Sequence, residues 1–151
     1  LDLAARLGAD VPFCVVGGRA VVRGIGESVV SLPYVERRFV LLLPPFGVDT
    51  AAVYRAWDEL GGTGTAGAQA AGTNDLEAAA LVVEPRLAGW RDLLAEVSGS
   101  RPLLAGSGST WFLEGTAADL GLEGRTSLAL GAAEGAVVAV RTTRAHTGPP
   151  G

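Results

Sequence analysis

Asp10 is the residue whose setting in the sequence most suggests chemistry. It lies in LGADVPF (residues 7–13). A segment whose apolar residues have the spacing of a helix precedes it, and a run of apolar residues follows it. A buried charge is costly unless it is paired or used, and a carboxylate at a helix end can accept the proton of a substrate hydroxyl. The alternative is an Asp that caps a turn by accepting hydrogen bonds from nearby backbone N–H groups. The residue type alone favours the cap.

A second candidate is the glycine-rich stretch AGSGS at residues 105–109, with Gly106, Ser107 and Gly108 at its centre. Backbone N–H groups freed by glycine can bind a phosphate. An ordinary hairpin loop accounts for the same residues, and no Gly-Lys-Ser/Thr follows, so the stretch is not a P-loop.

Thr50 and Tyr54 lie one turn apart in a predicted helix. The tyrosine ring can stack on a nucleotide base, and a tyrosine at the edge of the core is the alternative. With one histidine and one cysteine, the chain lacks the ligands of the common zinc sites. We therefore predict no metal site.

Composition restricts the class of protein. The 151 residues are 48% hydrophobic, which predicts a packed core, and the net charge of −4 argues against nucleic-acid binding. No apolar run approaches the roughly 20 residues that span a membrane. One cysteine and no signal-peptide pattern predict a soluble cytoplasmic protein. Nothing in the sequence indicates its oligomeric state. All twelve basic residues are arginine, so a catalytic lysine must come from outside these residues.

The N-terminal part is predicted to form a helix over residues 1–7 and then short strands. The apolar run Val11–Val16 predicts a buried strand that pairs with a second strand over residues 19–23. Cys14 in that run is predicted to be a buried, inert thiol. A third strand is predicted over residues 28–32, after the turn GIGE.

A polar, proline-led segment at residues 33–38 marks a boundary between two parts of the chain. The second part begins after this segment. FVLLLPP predicts a fully buried strand, and Asp49 or Thr50 caps a helix over residues 50–60. Residues 61–73 predict a flexible loop. Asn74 and Glu77 form a predicted capping box for a helix over residues 75–82. The remaining predicted elements are a helix from Pro85 to Val97, a strand–turn–strand around AGSGS, a short helix within 116–132 and a last strand. This order predicts an α+β fold, with an antiparallel sheet and helices on one face.

The order of these motifs resembles a known enzyme family. LGADVPFCVVGGRAVVRGIGE, PPFGVDTAAVY, NDLEAAA and AGSGSTWFLEG occur together, and together they resemble the 4-diphosphocytidyl-2-C-methyl-D-erythritol kinase family of the GHMP kinase superfamily. The resemblance implies that Asp10 is the catalytic acid–base residue and that Gly106, Ser107 and Gly108 form the third superfamily motif, at the phosphates. It also implies that Thr50 and Tyr54 bind substrate, with the ring on the cytosine. Ser109 departs from the proline that commonly follows Gly-Ser-Gly in this family.

The same resemblance implies an organisation and an activity. Residues 1–36 correspond to a remnant of the N-terminal nucleotide-binding domain, and residues 37–151 correspond to the C-terminal domain. The implied reaction uses ATP and Mg²⁺ to phosphorylate the 2-hydroxyl of 4-(cytidine 5′-diphospho)-2-C-methyl-D-erythritol, a cytidine diphosphate sugar-alcohol, in non-mevalonate isoprenoid biosynthesis. The family's catalytic lysine and glycine-rich ATP loop do not occur in these residues. The chain is therefore expected to be a fragment that is inactive alone.

Two alternatives stay open at this point. One is a different GHMP kinase, acting on a sugar or on homoserine. The other is a non-catalytic α+β interaction domain without the ATP-binding half.

Overall fold

The computed structural model describes residues 2–62 and 74–144. These residues divide into two compact units. The hairpin unit comprises residues 2–37 and 141–144, and the sheet unit comprises residues 38–62 and 74–140. The predicted flexible loop at 61–73 lies outside the described residues from residue 63 onward.

The hairpin unit contains two short helices and one β-hairpin. Its elements are α1 (Asp2–Leu7), α2 (Val11–Val16), β1 (Arg19–Arg23) and β2 (Ser28–Leu32). The two strands are antiparallel, and Val21 lies opposite Val30. The first helix and both of these strands are confirmed as predicted.

The prediction of a strand over Val11–Val16 is wrong, because these residues form α2. Pro12 occupies one of the first two helical positions, where its missing N–H costs no hydrogen bond. An unbroken apolar run has no period that separates a strand from a helix. The hairpin therefore joins β1 to β2, and Cys14 is exposed rather than buried.

Apolar side chains of the hairpin unit are largely uncovered. Among its described residues only Pro12 and Gly26 are buried, and the buried hydrophobic residues of the described chain begin at Val40. Four large apolar side chains are between 69% and 78% exposed: Leu3, Leu7, Val15 and Ile25. The hairpin unit therefore has little apolar core of its own among its described residues.

The sheet unit combines three helices with a five-stranded sheet, which confirms the α+β prediction. Its elements are β3 (Arg38–Leu43), α3 (Thr50–Glu59), α4 (Glu77–Val83), α5 (Arg86–Ser98), β4 (Leu103–Leu104), β5 (Trp111–Glu114), β6 (Ser127–Leu130) and β7 (Ala133–Arg141). The strand order is β4-β5-β3-β7-β6, and the pairs β3/β5, β4/β5 and β6/β7 are antiparallel.

Two further predictions fail in this unit. Strand β3 is buried on one face only, because Val40 and Leu42 are buried while residues 39 and 41 are partly exposed. Residues 116–126 form turns rather than the predicted helix, and β6 follows them. Gly121 and Gly124 have φ of +66° and +71°, a left-handed backbone that a right-handed helix does not contain.

One row of buried side chains crosses the sheet. Leu104 of β4 pairs with Trp111 of β5, which pairs in turn with Leu42 of β3. Each is at most 2% exposed. Trp90 of α5 packs over this row beside Gly135 of β7, where an added Cβ would lie 2.8 Å from Trp90 Cζ3 and 3.2 Å from Leu42 Cδ1. Gly135 therefore leaves the space that the indole ring fills.

We expect Gly135→Ala to lower the free energy of unfolding by about 1–3 kcal/mol, because the added methyl group overpacks the core. Chemical denaturation of the purified chain, monitored by tryptophan fluorescence, measures the change. Gly47→Ala is the matched control, since a Cβ there would meet nothing within 4 Å. Its effect should lie within about 1 kcal/mol of zero. Equal stabilities for the two variants would contradict the packing described here.

Candidate active site

Asp10 lies at the junction of two helices rather than at the predicted junction of a helix and a strand. It immediately precedes α2, and its own carbonyl oxygen accepts the first bond of that helix from Cys14 N at 3.0 Å. The carboxylate is exposed and makes no capping hydrogen bond. The capping role that the residue type favoured is therefore not what this side chain does.

The segment that carries Asp10 is held by a close backbone approach. Gly26, in the turn between β1 and β2, has φ of +99°. A Cβ added at Gly26 would collide with the carbonyl group of Ala9, the residue before Asp10. Glycine is thus required here for two independent reasons, positive φ and contact with another backbone. The motifs GADVPF and GIGE, well separated in sequence, are joined at this contact.

In the sheet unit, the predicted glycine loop is the connection between β4 and β5. Ala105 N donates to Thr110 O at 2.9 Å, and Gly108 N donates to Ala105 O at 3.4 Å. Gly106 adopts φ of +61° and is exposed. The stretch is therefore a hairpin loop, as the simpler interpretation held, and it is a loop whose ends are fixed by hydrogen bonds.

Two segments predicted separately as site segments meet in the sheet unit. Thr50 is the first residue of α3, and Asp49 caps that helix through an Oδ1 that accepts from Ala52 N at 3.1 Å. Ser107 Oγ donates to Thr50 Oγ1 at 3.0 Å. The glycine loop and the N-terminus of α3 thus place two hydroxyl groups next to each other. Hydroxyl groups at the N-terminus of a helix can hydrogen-bond a phosphate or another anion.

Tyr54 follows Thr50 one turn later on α3. Its side chain is 50% exposed, whereas Val53 next to it is buried in the core. The ring therefore is not a core residue, and much of its surface is available for stacking.

Asn74 is a polar residue of this region whose role the sequence did not predict. A capping box with Glu77 was predicted, yet α4 begins only at Glu77, and its N-cap residue is Leu76. Instead, Asn74 Nδ2 donates to the carbonyl oxygens of Leu104 at 3.0 Å and Gly106 at 2.6 Å. The amide reaches the glycine loop thirty residues further along the chain, and no local pattern signals such a contact.

The carboxylates whose pKa is clearly displaced belong to other features. A side-chain hydrogen bond from Arg86 lowers the pKa of Glu84, and hydrogen bonds from the Thr116 hydroxyl and N–H lower that of Asp119. Glu84 belongs to a surface ion pair with Arg86, and Asp119 belongs to a turn that begins at Thr116.

Residues 2–62 and 74–144 were considered for metal ligands and for membrane-spanning helices. No group of three or more His, Cys, Asp or Glu side chains is placed to hold a metal ion. None of the helices in these ranges is long and apolar enough to cross a membrane.

Comparison with known proteins gives a consistent result. The chain is 38% identical over 134 residues to 4-diphosphocytidyl-2-C-methyl-D-erythritol kinase of Moorella thermoacetica, covering 76% of this chain and 46% of the relative. It is 40% identical over 126 residues to the enzyme of that name from Cutibacterium acnes, covering 72% and 41%. A crystal structure of 4-(cytidine 5′-diphospho)-2C-methyl-D-erythritol kinase matches with a TM-score of 0.55 and 32% identity, covering 74% of this chain and 46% of that one. No protein-family model matches the chain.

These similarities place the chain among the small-molecule kinases. It belongs to the 4-diphosphocytidyl-2-C-methyl-D-erythritol kinase family, and the resemblance seen in the motifs is confirmed. The chain spans less than half the length of these relatives.

We expect Asp49→Ala to lower the free energy of unfolding by about 1 kcal/mol, because the first turn of α3 loses its side-chain cap. Asp49→Asn keeps an acceptor oxygen and should cost only a few tenths of that amount. Urea denaturation of the two variants and the parent chain measures the difference. If the two substitutions have the same effect, the cap does not stabilise the helix that carries Thr50.

Proposed function

We propose that this chain is part of an ATP-dependent kinase that phosphorylates the 2-hydroxyl of 4-(cytidine 5′-diphospho)-2-C-methyl-D-erythritol. The observation that carries the proposal is the 3.0 Å contact between Ser107 and Thr50. It supports one binding point built from the predicted phosphate loop and the predicted substrate-binding helix. The names of the related kinases supply the substrate and the reaction.

Asp10 is proposed to be the base of the reaction. The substrate hydroxyl oxygen forms a bond to the γ-phosphorus of ATP, the bond from that phosphorus to the β–γ bridging oxygen breaks, and ADP leaves. The hydroxyl proton passes to the Asp10 carboxylate. Two observations support this role: the carboxylate is exposed, and it is free of a capping bond. A base must be within hydrogen-bonding reach of the hydroxyl it serves.

The loop of Gly106, Ser107 and Gly108 is proposed to bind phosphate oxygens through the N–H groups of Gly106 and Ser107 and through the Ser107 hydroxyl. Thr50 is proposed to bind substrate at the same point, and Tyr54 to stack on the cytosine ring. Because phosphoryl transfer needs positioning and charge stabilisation more than covalent chemistry, residues of this kind can contribute much of the rate. The half-exposed ring of Tyr54 supports the stacking role.

Mg²⁺ would be bound together with the phosphate groups of ATP and would neutralise part of their negative charge. The reaction takes place, in this proposal, in the cytoplasm, where ATP is available.

The two units are proposed to correspond to the two kinase domains. The hairpin unit would be the remnant of the nucleotide-binding domain, and the sheet unit would be most of the C-terminal domain. The exposed apolar side chains of the hairpin unit support this division, because a remnant lacks the rest of the sheet that would cover them.

The function is tested by measuring phosphoryl transfer from ATP to three acceptors: the cytidine diphosphate sugar-alcohol, galactose and homoserine. We expect the kinase that contains this chain to phosphorylate the first, and the 151-residue chain alone to stay at background. Preferential use of galactose or homoserine would overturn the proposed substrate. If the kinase used no acceptor, a non-catalytic interaction domain would be the better account.

Asp10→Asn in that kinase should lower kcat by on the order of 100-fold or more, because the amide cannot take up the hydroxyl proton. Asp2→Asn is the matched control, since Asp2 is an exposed carboxylate on α1 of the same unit. Steady-state kinetics with the cytidine substrate gives both values. Asp10 has no role as base if its variant turns over as fast as the Asp2 variant.

A further inference from the structure

We propose that Asn74 is a positioning residue that fixes the conformation of the glycine loop. The part of this proposal that concerns catalysis rests on the proposed function. The anchoring itself rests on hydrogen bonds within the sheet unit.

All the polar atoms of the Asn74 side chain take part in this anchoring. Nδ2 donates two hydrogen bonds, to Leu104 O at 3.0 Å and to Gly106 O at 2.6 Å. Oδ1 accepts from Leu76 N at 3.0 Å. The backbone carbonyl of Asn74 accepts from Glu77 N at 3.0 Å. One residue thus links the entry of α4 to the start of the loop.

The two carbonyl groups that Asn74 holds lie on either side of Ala105. Leu104 is a core residue, 2% exposed, whereas Gly106 is the exposed residue with φ of +61°. The amide therefore bonds to both the buried base of the loop and its turning point. Glycine at positive φ has wide conformational freedom, and the bond to Gly106 O restricts it. Ser107, which contacts Thr50, comes next in the chain.

An amide is the side chain that this position needs. Its NH₂ group supplies two donors for two carbonyl oxygens while its oxygen accepts from an N–H group. A carboxylate of the same shape keeps the acceptor but loses both donors, and it places negative charge against two carbonyl oxygens. Asn74→Asp therefore removes the anchoring bonds and preserves the contact with Leu76.

Hydrogen exchange of the full 151-residue chain tests the anchoring directly. In Asn74→Asp, the N–H groups of Ala105 and Gly108, which are bonded within the loop, should exchange on the order of tenfold faster. The N–H of Gly99, bonded to Ala95 O at the end of α5, should keep its rate. Unchanged rates in the loop would overturn the proposal, and so would an equal increase at all three sites, which indicates global destabilisation.

Kinetics of the kinase that contains this chain tests the catalytic part. Asn74→Asp should lower kcat by roughly 10- to 100-fold, because displaced groups lose their alignment with the reacting phosphate. Thr116→Ala is the matched control: it removes hydrogen bonds from another turn of the sheet unit and should leave kcat near the parent value. A faster-exchanging loop with unchanged kcat would overturn the catalytic part alone. An inactive parent kinase with a faster-exchanging loop would overturn the proposed function and leave the anchoring intact.

Discussion

The sheet unit depends on the row of buried side chains formed by Leu104, Trp111 and Leu42 across three neighbouring strands. Burying three large apolar side chains against the helices supplies a large part of the favourable free energy of this unit. Leu104 and Trp111 are also the two ends of the segment that contains the glycine loop. The loop therefore begins and ends at residues that cannot move without opening the core. A loop held in this way can present flexible glycines at the surface with defined positions.

Polar contacts extend this constraint from the core to the surface. No polar or charged residue is buried among the residues that the structure describes, so each candidate group acts from an exposed or partly exposed position. Exposed hydrogen bonds contribute little to stability because water competes for the same groups. Their contribution here is geometric. The bond from Ser107 to Thr50 positions the loop relative to α3, and the two bonds from Asn74 position it relative to the entry of α4. The core already holds both helices in place.

The sequence predicted those parts of the fold whose signals are local. Helix α3 has an Asp cap and a clear apolar face, and α5 follows a proline and ends at a glycine, so both were found. The strand prediction for Val11–Val16 failed because six apolar residues in succession fit either element. For the candidate site, the sequence predicted individual residues but not the long-range contacts between them. Motifs identified Thr50 and Ser107, but the two residues are 57 positions apart, so no local pattern predicts their contact. The bonds of Asn74 go to backbone carbonyl groups, which every residue type has, so the sequence does not predict these bonds either.

The glycine loop and Asp10 lie in units that differ in how much apolar surface they bury. The glycine loop is built on a packed core, whereas Asp10 lies in a unit whose described residues bury only Pro12 and Gly26. The contact between Gly26 and Ala9 orders the backbone beside Asp10, yet one backbone contact cannot replace an apolar core as a source of rigidity. A base in phosphoryl transfer must be held close to its hydroxyl. If Asp10 is the base of the proposed kinase, we expect it to act when the exposed apolar side chains of the hairpin unit are covered.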